Sequence, residues 1–342
     1  GEGVTLGVVD HLHIEAVLFL LLQISRLMTP FYQLGYIAAL VEHGFFDLLT
    51  AGPASLEKLM DATGIDAEHG SAFRTWLQAG IRLKLLRLDE GQYHLNGLAK
   101  GLARIPENDA LLAIIQEAAD LHHKLILHTP SKLTAGEKWT LNDQDGEVIA
   151  RSSRIVEPFQ TAMIRSLFPK DAPIRLLEVG CGSGIYIKEA AMHNPQLTAV
   201  GVELQADVAE MARKNLKGWQ VEDRVRVEQG DIREKNFESE FDIVTLYNNI
   251  YYFPVSERVA LLTHLKDFLK PGGFLVLVTG CQGGQALMEM LNLWGAATAG
   301  ADRLPAPDEM VAQMQAAGFE QVQAKNFLPG DSFYYFVGYC FG

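Results

Sequence analysis

From Ile174 to Gly280 the chain alternates between short apolar runs and amphipathic runs of helical length, and no other feature narrows the possible folds as far. The apolar runs read "IRLLEV", "TAVGVEL", "RVRVEQGD", "FDIVTLYN" and "GGFLVLVTG". Between them lie "GIYIKEAAMHN", "ADVAEMARKNLKG" and "ERVALLTHLKDFLK". Strands rich in β-branched residues need cover on both faces, so the pattern predicts a parallel sheet with helices on each side. Such an open sheet binds its ligands beyond the carboxyl ends of its strands.

The first of those ends reads "LEVGCGSG". A buried strand, a Gly-rich turn and a helix N-terminus let a ligand approach bare backbone. Dinucleotide-binding loops are spaced G-x-G-x-x-G, the last glycine allowing close helix–strand packing. Here Gly180, Gly182 and Gly184 alternate, and Ile185 stands where that pattern needs glycine. Glu178 adds a negative charge, repulsive beside a pyrophosphate and attractive beside the amino group of a zwitterion. The combination favours S-adenosylmethionine (SAM) over NAD.

The next strand ends at Glu203 and Leu204, where an acid can accept both hydroxyls of a ribose. The third ends at Asp231 and Ile232, suited to an adenine amino group and an adenine face. The fourth ends in a polar, aromatic cluster. There Asn248 is expected to orient the methionine portion of SAM, and Asn249 and Tyr252 the acceptor.

A chain of 342 residues has room for two domains at ~150 residues each. Its net charge of −13 opposes nucleic acid and anionic membrane as partners. Cys181, Cys281 and Cys340 are too scattered for a disulfide framework or a zinc site and fit a reducing cytoplasm. The most apolar stretch, Ala16 to Met28, is interrupted by Gln23 and Arg26 and falls short of the ~20 residues that span a bilayer. No basic segment precedes it, against a signal peptide. The leading Gly1-Glu2-Gly3 is left out of the fold argument.

Residues 11 to about 50 are helical in pattern, with one apolar run before Pro30 and another after it. Helices this apolar are expected to lie buried, covered by another subunit. Ser55 caps the next helix and Gly64 ends it. A second helix from about Ala67 to Ala79 and two strands flanking Glu90-Gly91 complete a winged-helix pattern. Its second helix offers only Arg74 as a base, with Asp66 and Glu68 at its start, so it lacks the basic face of a DNA reader. The expected division is a dimerisation domain over 11–105, a helical bridge over 106–170 that contributes to the substrate pocket, and a catalytic domain over 171–342.

"LLEVGCGSG", Glu203, "GDI" and "LKPGGFLVLV" together resemble the successive motifs of class I SAM-dependent methyltransferases. The segment from "GFFDLLTAGPASLEKLMDATGID" to "RLDEGQYHLN" is similar to the dimerisation domain of small-molecule O-methyltransferases, as are "EPFQTAMI" and "AGF" (Ala317 to Phe319). The resemblance covers nearly the whole chain from about residue 30. It implies a Rossmann-like α/β domain behind a mostly helical winged-helix domain, a homodimer, SAM as cofactor with S-adenosylhomocysteine as product, and a small, largely apolar acceptor, a secondary-metabolite hydroxyl.

The chain departs from that family at one place. Many members carry a His-Asp-Trp segment after the fourth strand, the histidine serving as general base. This chain has Tyr251-Tyr252-Phe253 there. A phenol with pKa near ~10 is a poor base at neutral pH. His122, His123 or His128 in "DLHHKLILHTP" can supply the base instead, His128 otherwise lining the acceptor site. An acidic acceptor can react by proximity alone. Carbon or nitrogen methylation, or a SAM-binding protein that has lost methyl transfer, are the alternatives. A metal site is not expected, since adjacent His122 and His123 point about 100° apart on a helix. Met290 and Trp294, in the apolar helix from Ala286 to Gly300, are candidates for a lid over the acceptor.

Overall fold

A computed structural model describes residues 8–342, with side chains from residue 13 onward, so Gly1-Glu2-Gly3 lies outside it. The described residues separate into two compact units, 8–124 with 144–155, and 125–143 with 156–342. The expected bridge, 106–170, is thus divided between them.

The first unit is helical. It contains α1 (Val8–Glu42), α2 (Phe45–Ala51), α3 (Leu56–Thr63), α4 (Gly70–Arg82), the hairpin β1 (Leu86–Asp89) and β2 (Gln92–Leu95), α5 (Gly97–Ala103) and α6 (Asp109–Glu117). Ser55 caps α3 as expected, its hydroxyl accepting from the Lys58 amide at 3.2 Å. The hairpin turns at Glu90 and Gly91, both at positive φ, as a two-residue turn requires. The core gathers Ile37 and Leu40 of α1, Phe46, Leu59, Leu77, Leu86 and Tyr93. Tyr36 stacks on Trp76 at 4.5 Å, and its ring occupies the place that a Cβ on Gly80 would need.

One expectation fails in α1. Pro30 lies inside a continuous helix and does not divide it. Proline removes one backbone hydrogen bond and crowds one carbonyl, and here the apolar turns on both sides carry the helix past it. On the single chain the apolar part of α1 is exposed: Leu18, Leu22 and Leu27 are 55%, 63% and 75% exposed, and burial begins only at Tyr36. Because the helix is uninterrupted, the stretch His13–Glu42 is also long and apolar enough to cross a membrane by length and composition. The apolar run counted alone is too short for that.

Five residues of π-helix, Ala118–His122, lead from α6 into α7 (His123–Thr134), and α8 (Gly146–Ser152) returns to the first unit. The second unit continues through α9 (Glu157–Leu167), β3 (Arg175–Val179), α10 (Ile185–His193), β4 (Thr198–Glu203), α11 (Ala206–Gly218), β5 (Val225–Gln229), β6 (Phe241–Tyr247), α12 (Val255–Asp267), β7 (Leu269–Gly280), α13 (Ala286–Ala297), α14 (Pro307–Ala316), β8 (Glu320–Asn326) and β9 (Phe333–Tyr339). Its sheet runs β5-β4-β3-β6-β7-β9-β8, parallel except where β9 joins β7 and β8. The chain winds outward from β3 to β5 and then returns to place β6 beside β3. That reversal opens a crevice above the carboxyl ends of β3 and β6.

Successive residues of each strand enter opposite cores. Leu176, Ile243 and Val276 face one layer, and Leu177, Val244 and Leu275 the other. Alternation places Glu178 on the first of these faces, in register between Gly201 of β4 and Thr245 of β6.

Candidate functional site

The Gly-rich loop leaves β3 at Val179 and enters α10 at Ile185. Gly180, Gly182 and Gly184 have φ of 65°, 52° and 81°, a region that L side chains rarely adopt. Their reasons differ. A Cβ on Gly180 would strike the Asn249 amide, whereas one on Gly182 would meet nothing, so Gly182 leaves its side of the loop open. Gly184 stands at the N-cap of α10.

Glu203 organises this loop from the next strand. Its Oε2 accepts from the Gly182 amide at 3.0 Å and its Oε1 from the Gln205 amide at 3.1 Å. Each oxygen keeps a lone pair for a ribose hydroxyl. Leu204 beside it is exposed. Asp231 follows the end of β5, and Arg233 holds it in a fork, with Nη2 at 2.7 Å from Oδ2 and Nε at 3.0 Å from Oδ1. That hydrogen bonding keeps the Asp231 carboxyl below its ordinary range. Most of its lone pairs are therefore taken. Ile232 is buried in the core with Leu177 and Val200, which leaves it little face for a ring to stack on.

Behind the loop, Glu178 is 2% exposed, and its Oε1 has no hydrogen-bond partner. Burial pushes its carboxyl well above the ordinary value. Asn249 donates from Nδ2 to the Val179 carbonyl at 2.8 Å, leaving its buried Oδ1 without a partner. Asn248 sits at φ 55° with its amide N–H on the Val278 carbonyl at 2.8 Å. Its Oδ1 is likewise buried and unpaired, while its Nδ2 donates to Gln160 of α9 at 3.2 Å. Asn249, expected on the acceptor side, thus lies against the Gly-rich loop instead, and with Glu178 and Asn248 it presents three unpaired acceptors at the ends of β3 and β6. An ammonium group has three donors, so the donor set fits the amino-acid end of SAM.

A methyltransferase domain model matches residues 176–273, from the first strand to the start of the fifth. The chain is 25% identical over 268 residues to the N,N-dimethyltransferase OxyT of Streptomyces rimosus, covering 74% of this chain and 76% of that protein. It is 26% identical over 266 residues to the demethylspheroidene O-methyltransferase of Cereibacter sphaeroides, covering 72% and 67%. The chain is a SAM-dependent methyltransferase. Human N-acetylserotonin methyltransferase, solved in complex with SAM, superposes on this methyltransferase with a TM-score of 0.71. The match covers all of both chains at 15% identity, a likeness of fold alone.

The acceptor-side candidates of the methyltransferase are placed unevenly. Tyr251 and Tyr252 lie side by side, rings 4.7 Å apart, in a short turn after β6. The Tyr251 carbonyl accepts from the Asp302 amide at 2.8 Å, and its Cβ lies near Gly295 of α13. Burial raises the Tyr252 phenol, opposed by a hydrogen bond with Tyr251. Trp294 is 4% exposed and packs as core, while Met290 on the same helix is half-buried.

His122 and His123 belong to the first unit. His122 is buried with its Nε2 at 3.2 Å from Glu117 Oε1, and His123 packs its ring 5.2 Å from that of Phe31. The Glu117 contact engages one of the two ring nitrogens of His122. His128 is exposed on α7 in the second unit.

Gln160 was within "EPFQTAMI" but carries no expected role from the motifs. The signal was present: Gln160, Met163 and Ile164 are spaced i, i+3, i+4, so an amide interrupts the apolar face of α9.

Proposed function

We propose that this methyltransferase methylates a hydroxyl of a small, largely apolar acceptor, a secondary metabolite. The observation that carries the reading is the cluster of buried, unpaired acceptors at the switch point between β3 and β6, one turn before Tyr251. The O-methyltransferase among the relatives supports oxygen as the nucleophile. When bound, SAM supplies an electrophilic methyl on a sulfonium centre.

The residues of the chain align and shield. Glu203 and the Gly182 amide fix the ribose side, Glu178, Asn248 and Asn249 the ammonium, and the Gly-rich loop the backbone between them. Tyr251 stands at the acceptor end, where its hydroxyl, shared with Tyr252, orients the incoming oxygen. Transfer to oxygen would break the methyl–sulfur bond, its electron pair staying on the sulfur of S-adenosylhomocysteine, and would send the acceptor's proton to solvent or to an acceptor-side base. Orientation and exclusion of water supply most of the barrier lowering.

The same proposal places the enzyme in the cytoplasm as a homodimer. The N-terminal unit acts as a winged-helix dimerisation domain, whose exposed α1 residues Leu18, Leu22 and Leu27 are covered by a second copy. Three free, buried cysteines suit a reducing compartment. Incubation with methyl-labelled SAM and a panel of phenols and polyene alcohols tests the central claim. Label in an ether product with equimolar S-adenosylhomocysteine is expected. Label only on nitrogen or carbon across amine and enol controls would move the enzyme to another acceptor class.

A further inference from the structure

Gln160 is fully buried, on the helix face it shares with Met163 and Ile164. An amide in such a place is costly unless both of its ends are hydrogen-bonded. One end is: Oε1 accepts from Asn248 Nδ2 at 3.2 Å. The other end, Nε2, has no partner among the described residues, and neither has Oδ1 of Asn248. The two amides therefore present an unpaired donor and an unpaired acceptor as one unit.

Asn248 is not free to turn away. Its left-handed backbone and the bond from its N–H to Val278 hold the residue at the end of β6. The next side chain, Asn249, lies against Val179 and Gly180, so the amide pair is one residue from the mouth of the Gly-rich loop. A donor beside an acceptor complements a group that carries a carboxylate beside an ammonium. Among the described residues of this cluster, Asn248 and Asn249 contribute unpaired carbonyl acceptors, and Gln160 contributes the unpaired amide donor beside them.

We propose that Gln160 binds the amino-acid end of SAM, its Nε2 donating to the carboxylate while Asn248, held by Gln160 Oε1, accepts from the ammonium. The proposal rests on the assignment of the chain as a SAM-dependent methyltransferase, and it adds a residue to that site.

Calorimetric titration of the full chain with two probes tests it. S-adenosylhomocysteine carries the amino-acid end, and methylthioadenosine keeps the adenosine and the sulfur without it. Gln160→Met is expected to bind S-adenosylhomocysteine about 10- to 100-fold more weakly, the effect of losing one hydrogen bond to a charged group. Its affinity for methylthioadenosine should stay within about twofold of the wild type. Gln160→Glu keeps an oxygen for Asn248 and sets a carboxyl against the ligand's carboxylate, so it should lose at least as much on the first probe alone. It also serves if the Met variant does not fold, which thermal melting shows. Equal losses on both probes make Gln160 a packing residue and overturn the proposal, as does unchanged binding of S-adenosylhomocysteine. A wild type that binds neither probe overturns the cofactor assignment and this proposal with it.

Discussion

The Glu203 carboxylate accepts the Gly182 amide at 3.0 Å, so the acid at the end of β4 and the middle glycine of the loop after β3 are set as one piece. An acid meant for ribose hydroxyls is pre-oriented by the same loop that passes along the rest of the ligand. Glu203→Ala removes both roles. We expect SAM affinity to fall by ~1.5–3 kcal/mol in calorimetry, with a small loss of thermal stability from the orphaned amide. Unchanged affinity in the folded variant would take Glu203 out of the site.

Gly180 makes a separate prediction, because two constraints meet there. Its φ of 65° is adverse for any side chain, and a Cβ would strike the Asn249 amide. Gly180→Ala should cost roughly 1–2 kcal/mol of stability from the backbone alone. It should also displace Asn249 and weaken SAM binding. Gly182→Ala shares the first constraint and lacks the second. Comparison of the two variants by urea melts and SAM titration separates strain from displacement. Equal SAM affinities would show that Asn249 plays no part.

Glu178 ties the site to pH. Burial raises its folded-state pKa above the ordinary 4.5, so the native state holds the proton where the unfolded chain has released it. Its contribution to stability is full below the unfolded value and declines as pH rises toward the folded one. Urea melts of the ligand-free protein should therefore show stability falling with pH above about 4.5, and Glu178→Gln should flatten that slope. Binding of an ammonium favours the carboxylate, so SAM should expel a proton wherever Glu178 is protonated. Titration in buffers of different ionisation enthalpy measures it. A wild-type slope retained in the variant would assign the effect elsewhere.

The contrast between these residues and α1 shows what the sequence could carry. Strand order, the loop and the acids at strand ends follow from local periodicity and from the rule that ligands meet carboxyl ends. Asp231 was legible as a strand-end acid, but not its capture by Arg233, because a residue two positions away can point anywhere until the turn is folded. His122 illustrates the same limit, since the π-helix that brings it to Glu117 shifts the helical register that spacing arguments assume. Gln160 was overlooked for the opposite reason. Its signal was one polar residue on an apolar face, and its partner lies far along the chain at Asn248.

In α1 the run of apolar residues was plain, and its exposure was not, since periodicity reports what must be covered and not by what. If a second copy covers it, Leu18→Glu with Leu22→Glu should convert a dimer to a monomer in sedimentation equilibrium. The near-ultraviolet spectrum of the rest of the chain should be kept. Should the wild type instead float with anionic or neutral vesicles, a property removed by the same substitutions, the helix His13–Glu42 seeks a bilayer and the dimer reading fails.

The last prediction concerns proton removal. Tyr251 occupies the position of the family's histidine, and its hydrogen-bonding neighbour Tyr252 has a phenol that burial keeps protonated. A hydroxyl shared with a neutral phenol orients an acceptor better than it deprotonates one. Tyr251→Phe should then lower kcat by ~10-fold or less, as for one neutral hydrogen bond, and leave SAM affinity unchanged. A general base would show a loss of ~100-fold or more, with a wild-type rate that climbs with pH through its pKa. His128→Ala tests the exposed histidine of the same unit, His122→Ala the one already paired with Glu117, and His123→Ala its neighbour. If all four variants turn over like the wild type, no base among them is required. The acceptor must then ionise on its own, and raising its pKa by removing an electron-withdrawing substituent should slow the enzyme in proportion.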